Sequence, residues 1–135
     1  MTQPLSHESL TVYQRSIQFV AWSSRLIIEK QITGVLLDQF KRAFISVPLN
    51  IAEGAGKNTG NDQARFYDIA RGSALECRAG LDVLVAMDGA ENADIAEGKE
   101  LLAKVVSMLT GLSRSVALNR VREGGGAYGC DPGES

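Results

Sequence analysis

One histidine, His7, and two cysteines, Cys77 and Cys130, are the whole supply of imidazole and thiol in 135 residues. Di-metal centres in helical bundles use Glu-x-x-His pairs on facing helices, and serine or cysteine nucleophiles need an imidazole base. His7 belongs to no such pair and is expected to be solvent-exposed near a fraying end. The chain therefore reads as a non-enzyme with no cofactor and no metal site. The cysteines have neither metal-ligand spacing nor the density of a disulfide framework and are expected as free thiols. Excess positive charge is also missing: a net charge of -2 and a pI near 5.4 exclude the broad positive field of non-specific nucleic-acid binders and leave room only for a local basic patch. No uninterrupted run of about eighteen apolar residues occurs, and MTQPLSHESL lacks the basic start and apolar stretch of a signal peptide. The expectation is a cytoplasmic protein without membrane association.

Strand-like alternation is absent too, whereas apolar residues return at helical spacing in four successive segments. With 44% hydrophobic and 22% charged residues the chain is too apolar to stay unfolded, and its length fits one domain. The first segment, about 8 to 32, places Leu10, Tyr13, Ile17, Val20 and Ile27 on one face, widened by Val12, Phe19, Trp22 and Leu26. Ser6 or Ser9 is the expected cap, and Thr33-Gly34 the expected stop. The second, about 35 to 55, carries Leu37, Phe40, Phe44, Val47 and Ile51. Pro48 removes the amide that would bond to the Phe44 carbonyl, at a typical cost of ~3 kcal/mol, which predicts a kinked helix, with two short helices meeting at Val47-Pro48 as the alternative.

Gly54, Gly56, Asn58, Gly60 and Asn61 mark a turn, and Thr59 with Asp62 resembles a capping box. The third segment, about 61 to 88, has Phe66, Ile69, Ser73, Cys77, Gly80, Leu84 and Met87 on one face. Gly72, Ser73, Ala74, Ala79 and Gly80 make its middle small enough for another helix to approach closely. After Asp88-Gly89, Asn92 or Asp94 is the expected cap of a fourth helix running to about Arg122, with Leu101, Leu102, Val105, Leu109, Leu112 and Val116 facing inward. Residues 1-122 thus form one domain, and the glycine-rich stretch 123-135 is expected to be a disordered tail. Four amphipathic helices joined by short turns predict an all-α, antiparallel up-and-down four-helix bundle.

The stretch from Gly54 to Gly60 invites comparison with a phosphate-binding loop and fails it. Ile51 stands where the first glycine belongs, Asn58 where serine or threonine should follow Lys57, and the stretch follows a helix. More informative is a polar stripe on the second helix, Gln39, Arg42, Ser46, Asn50, Glu53 and Lys57, beside the apolar one. Arg42 and Glu53 are about 16 Å apart along the axis, too far to pair with each other. Arg65, Arg71, Glu76 and Arg78 on the third helix are their candidate partners. A solvated face is the plain interpretation; a polar network tying helices or subunits together is the sharper one.

The run Ser46-Val47-Pro48-Leu49-Asn50-Ile51-Ala52-Glu53-Gly54, with Gln39 to Ala43 before it and Arg65-Phe66, Ile69-Ala70 and Gly72 to Glu76 after it, resembles the four-helix bundle proteins encoded in intervening sequences of large-subunit ribosomal RNA genes. The resemblance covers about Leu10 to Leu118. It implies a cytosolic homo-oligomer, a pentameric ring, with no established enzymatic activity. It also implies that Gln39, Arg42, Ser46, Pro48, Asn50, Glu53, Gly54, Arg65, Gly72, Ser73 and Glu76 act as structural or assembly determinants. Accessory proteins of diversity-generating retroelements are similar to this family and bind nucleic acid through a basic surface. On that alternative Arg42, Lys57, Arg65 and Arg71 would do the binding, against the acidic pI.

Overall fold

The computed structural model describes His7 and residues 10-128, with side chains through residue 118. Four helices follow one another: α1 Thr11–Glu29, α2 Gly34–Ala55, α3 Gly60–Ala86 and α4 Asn92–Tyr128. Among the described residues there is no strand. Cross-helix contacts set the register. Asp82 meets Lys99 at 2.7 Å and Asp68 meets Ser113 at 2.8 Å, so α3 and α4 run in opposite directions. Ser46 meets Ser73, and Phe40 and Gly54 lie against Gly80 and Tyr67, so α2 and α3 do as well. Phe19 meets Phe44 from α1, and Trp22 lies against Gly98 of α4.

The buried seams have heptad-like spacing. On α3 they are Tyr67, Ala70, Ala74, Cys77, Leu81 and Leu84; on α1, Val12, Ser16, Phe19, Ser23 and Leu26. Both stripes are rotated from the predicted ones. Ile17, Ile69 and Met87, expected inside, are exposed, because small residues hold the true seams and let the helices approach closely. Phe40, Phe44, Val47 and Ile51 of α2 and Ile95, Leu102, Val105 and Leu109 of α4 complete the core. Although no apolar run is uninterrupted, Asn92–Leu118 has an 18-residue window of mean hydropathy 1.4 and meets the length and composition of a membrane span. Of that window, 22% is buried against the rest of the bundle.

Helix ends differ from expectation for identifiable reasons. Helix α1 begins after Leu10, which supplies no side-chain cap, and it stops at Glu29, before Thr33-Gly34. Gln31 takes φ 54°, its amide bonds to the Ile28 carbonyl, and the Ile32 amide reaches back to Ile27, which closes the last turn with a left-handed residue. Asp88 at φ 61° closes α3 likewise. Thr59 caps α3 as predicted, its Oγ1 accepting from the Asp62 amide at 3.2 Å. Asp94 does not cap α4 from outside. It lies in the first turn, and its Oδ2 accepts from the Glu91 amide at 2.8 Å, the return half of a capping box. Helix α2 continues unbroken across Pro48, which excludes the two-helix alternative. Helix α4 continues past Arg122 to Tyr128, so its backbone takes in Glu123 to Tyr128, which were expected in the tail; 129-135 lie outside the described residues.

Candidate interaction face

Helices α2 and α3 present a shared outer face built around three short polar side chains. The Asn50 amide nitrogen donates to both the Oγ and the main-chain carbonyl of Ser46, at 2.9 Å each, and Ser46 Oγ meets Ser73 Oγ at 2.7 Å. Short side chains at i and i+4 on one helix can reach a third only if the backbones are close. Two glycines ensure this. A Cβ on Gly54 would stand 2.8 Å from the Tyr67 ring, and one on Gly80 would stand 2.6 Å from the Phe40 ring. Gly54, predicted among the turn formers, is a buried helical residue whose missing side chain admits an aromatic ring of α3.

The other stripe residues divide into two groups. Near the α2 C-terminus, Glu53 and Lys57 form an i, i+4 ion pair at 3.5 Å. Lys57 Nζ lies 5.1 Å and the Arg65 guanidinium 4.4 Å from the centroid of the Phe66 ring, so both cations lie over the same aromatic side chain. Such exposed pairs contribute up to about 1 kcal/mol each. At the other end, Leu36, Gln39, Phe40 and Ala43 face Glu76, Ala79, Gly80 and Val83 across an open groove of about 290 Å³. Its floor is apolar and small, with Gln39 and Glu76 on its walls.

The predicted pairing of Arg42 and Glu53 with charges on α3 is not what the structure shows. Among the described residues the ion pairs are Lys30–Asp94, Glu53–Lys57 and Asp82–Lys99, so Arg42 and Glu76 join none of them. Arg71 and Gly72 are exposed, and a Cβ on Gly72 would meet nothing within 4 Å. Of the four residues considered for nucleic acid, Lys57 and Arg65 converge and Arg42 and Arg71 do not. With Phe40 opposite Gly80, Arg42 lies about 20 Å along the axis from Arg65.

The groups with chemical potential are muted. Burial first, and the neighbouring Glu76 charge second, push the Cys77 thiol up to about 12, which leaves almost no thiolate at neutral pH. His7 is half-buried rather than free in solvent and packs edge-on to Tyr13 at 4.8 Å. Among the described residues no group of three or more His, Cys, Asp or Glu side chains could hold a metal ion. Sequence reasoning missed the buried hydroxyls of Ser16 and Ser23 on α1. Ser16 Oγ donates to the Tyr13 carbonyl at 2.7 Å, while Ser23 Oγ is buried with no partner among the described residues. Their four- and three-residue spacing with Val12, Phe19 and Leu26 is the signal that could have found them.

None of the curated proteins matches this chain. Residues 8-111, which span α1, α2, α3 and the greater part of the α4 core stripe, match the family described as 23S rRNA-intervening sequence protein. A match over that share of the chain, together with four helices in sequence, establishes that the chain belongs to the 23S rRNA-intervening sequence protein family.

Proposed function

We propose that this protein is a non-enzymatic, cytoplasmic scaffold that assembles with copies of itself through the α2–α3 face. One observation carries this reading. The groove between Leu36 and Val83 has an apolar floor flanked by Gln39 and Glu76, with the charges of Arg42 and Glu76 in no ion pair among the described residues. Leu49, Ile69 and Val83 add exposed apolar surface to these two helices. Apolar surface next to uncommitted charge marks contact sites on otherwise ordinary surfaces. The Ser46–Asn50–Ser73 cluster holds the two helices in the spacing that shapes the groove. The resemblance supplies a ring of five as the expected size.

Gly72→Phe tests the reading. A side chain there meets open space within one chain, so it harms only a neighbouring copy. Light scattering is expected to give a mass five times that of one chain for the parent protein and a smaller species for the variant, with the same helical content by circular dichroism. A concentration-independent monomer for the parent defeats the proposal. The competing role, a nucleic-acid-binding accessory protein, draws on the convergence of Lys57 and Arg65 on Phe66. It predicts RNA or DNA retention that weakens steeply with salt and is lost in Arg65→Glu.

A further inference from the structure

Helix α1 is joined to the bundle differently from the other three. Its buried residues are Val12, Ser16, Phe19, Trp22, Ser23 and Leu26, so hydroxyls hold two of the six inward positions. The Ser23 hydroxyl has no partner among the described residues and borders a small apolar void with Phe19, Leu26, Ile27, Phe40, Phe44 and Leu81. An orphan hydroxyl that regains water on exposure favours the undocked arrangement. Trp22 is the main anchor toward α4, seated where Gly98 has no side chain. The connection to α2 holds two left-handed residues, Gln31 at φ 54° and Gly34 at φ 72°. Segments of this kind, at the ends of elements, absorb the dihedral changes of a pivot. Beside the pivot, Lys30 Nζ meets Asp94 Oδ2 at 3.0 Å on the surface.

The other three helices are cross-tied. Ser46, itself held by Asn50, binds Ser73, Asp82 binds Lys99, and Asp68 binds Ser113. Two glycine-to-ring contacts also lock α2 against α3.

We infer that α1 is a separable strap, which swings away from the α2–α3–α4 unit about residues 30-34 while that unit stays packed. Opening uncovers Phe40, Phe44, Leu81 and Gly98, the surface that α1 covers in the closed form. Sub-global openings of this kind occur where one element's docking is weaker than the packing of the rest.

Native-state hydrogen exchange on the full chain, read by mass spectrometry, tests the strap through two variants. In the parent protein, amides of α1 exchange at least about tenfold faster than the core amides of α3. Ser46→Ala weakens a contact that survives α1 opening, so it speeds α3 exchange about tenfold and leaves α1 unchanged. Ser23→Ala removes the orphan hydroxyl from the closed form only, so it slows α1 exchange about fivefold. If α1 and α3 exchange at one rate, or if Ser46→Ala speeds both by the same factor, α1 opens only with the whole molecule and the strap does not exist. No slowing of α1 in Ser23→Ala overturns the part assigned to the hydroxyl.

Discussion

Ser46 and Ser73 meet across α2 and α3 with Asn50 closing the cluster, whereas Ser16 and Ser23 face the interior from α1, one bonded within its own helix and the other to no partner among the described residues. The residue type is the same and the energetic sign is opposite. A paired hydroxyl contributes about 1 kcal/mol, while a buried unpaired one costs about 1 to 3 kcal/mol. One contact region is therefore stapled by its polar groups and the other is loosened by the unpaired Ser23 hydroxyl.

The strongest attack on the comparison is Gly98→Ala. The new methyl would occupy the space of the Trp22 ring, so the ring must move. Overpacking costs about 1 to 3 kcal/mol, against about 1 kcal/mol gained in helix propensity. A net loss of up to about 2 kcal/mol, with reduced burial of Trp22 seen in its fluorescence, is expected from urea unfolding. An unchanged midpoint would mean that Trp22 does not anchor α1. Next comes Ser46→Ala, which leaves Asn50 and Ser73 short of a partner and is expected to lower stability by about 1.5 kcal/mol. A stabilised Ser46→Ala would erase the difference between the two serine pairs.

Ser23→Ala should move the other way and raise stability by about 1 kcal/mol, since it removes an orphan rather than a partner. Destabilisation there would show that the hydroxyl is satisfied in solution. The smallest effect concerns the ion pair beside the pivot. The Glu91 amide first, and Lys30 second, hold the Asp94 carboxyl below its ordinary 3.8. A depressed carboxylate stabilises the fold above its unfolded value and loses that contribution as pH falls through the folded one. The acid-side loss of stability below about pH 4 should therefore shrink in Asp94→Asn. An identical acid limb in parent and variant would remove Asp94 from the account.

Much of the fold was legible because periodicity reports on apolar residues, and α2 and α4 place theirs where they pack: Phe40, Phe44, Val47, Ile51, Leu102, Val105 and Leu109 all lie in the core. The phase of α1 and α3 was not. Their seams hold Ser16, Ser23, Ala70 and Ala74, residues that serve by being small, and hydropathy gives smallness no weight. The stops were hidden for a related reason. A left-handed Gln31 looks like any helical glutamine until its neighbours' amides are traced. On the interaction face, the three-four recurrence of Ser46 and Asn50 was readable, and their meeting with Ser73 follows from register. The sharing of Phe66 by Lys57 and Arg65 was not readable, because it depends on how two helix ends are brought together across a turn.

Gly54 of α2 receives the Tyr67 ring of α3, and Gly80 of α3 receives the Phe40 ring of α2, with about 20 Å between the two seats. Such a reciprocal arrangement works like a key cut at both ends. Sliding either helix by one turn drives each aromatic ring into a position that carries a side chain. An insertion between residues 40 and 54 can therefore survive only alongside one of equal length between 67 and 80, and relatives that differ in length are expected to change both stretches together or neither.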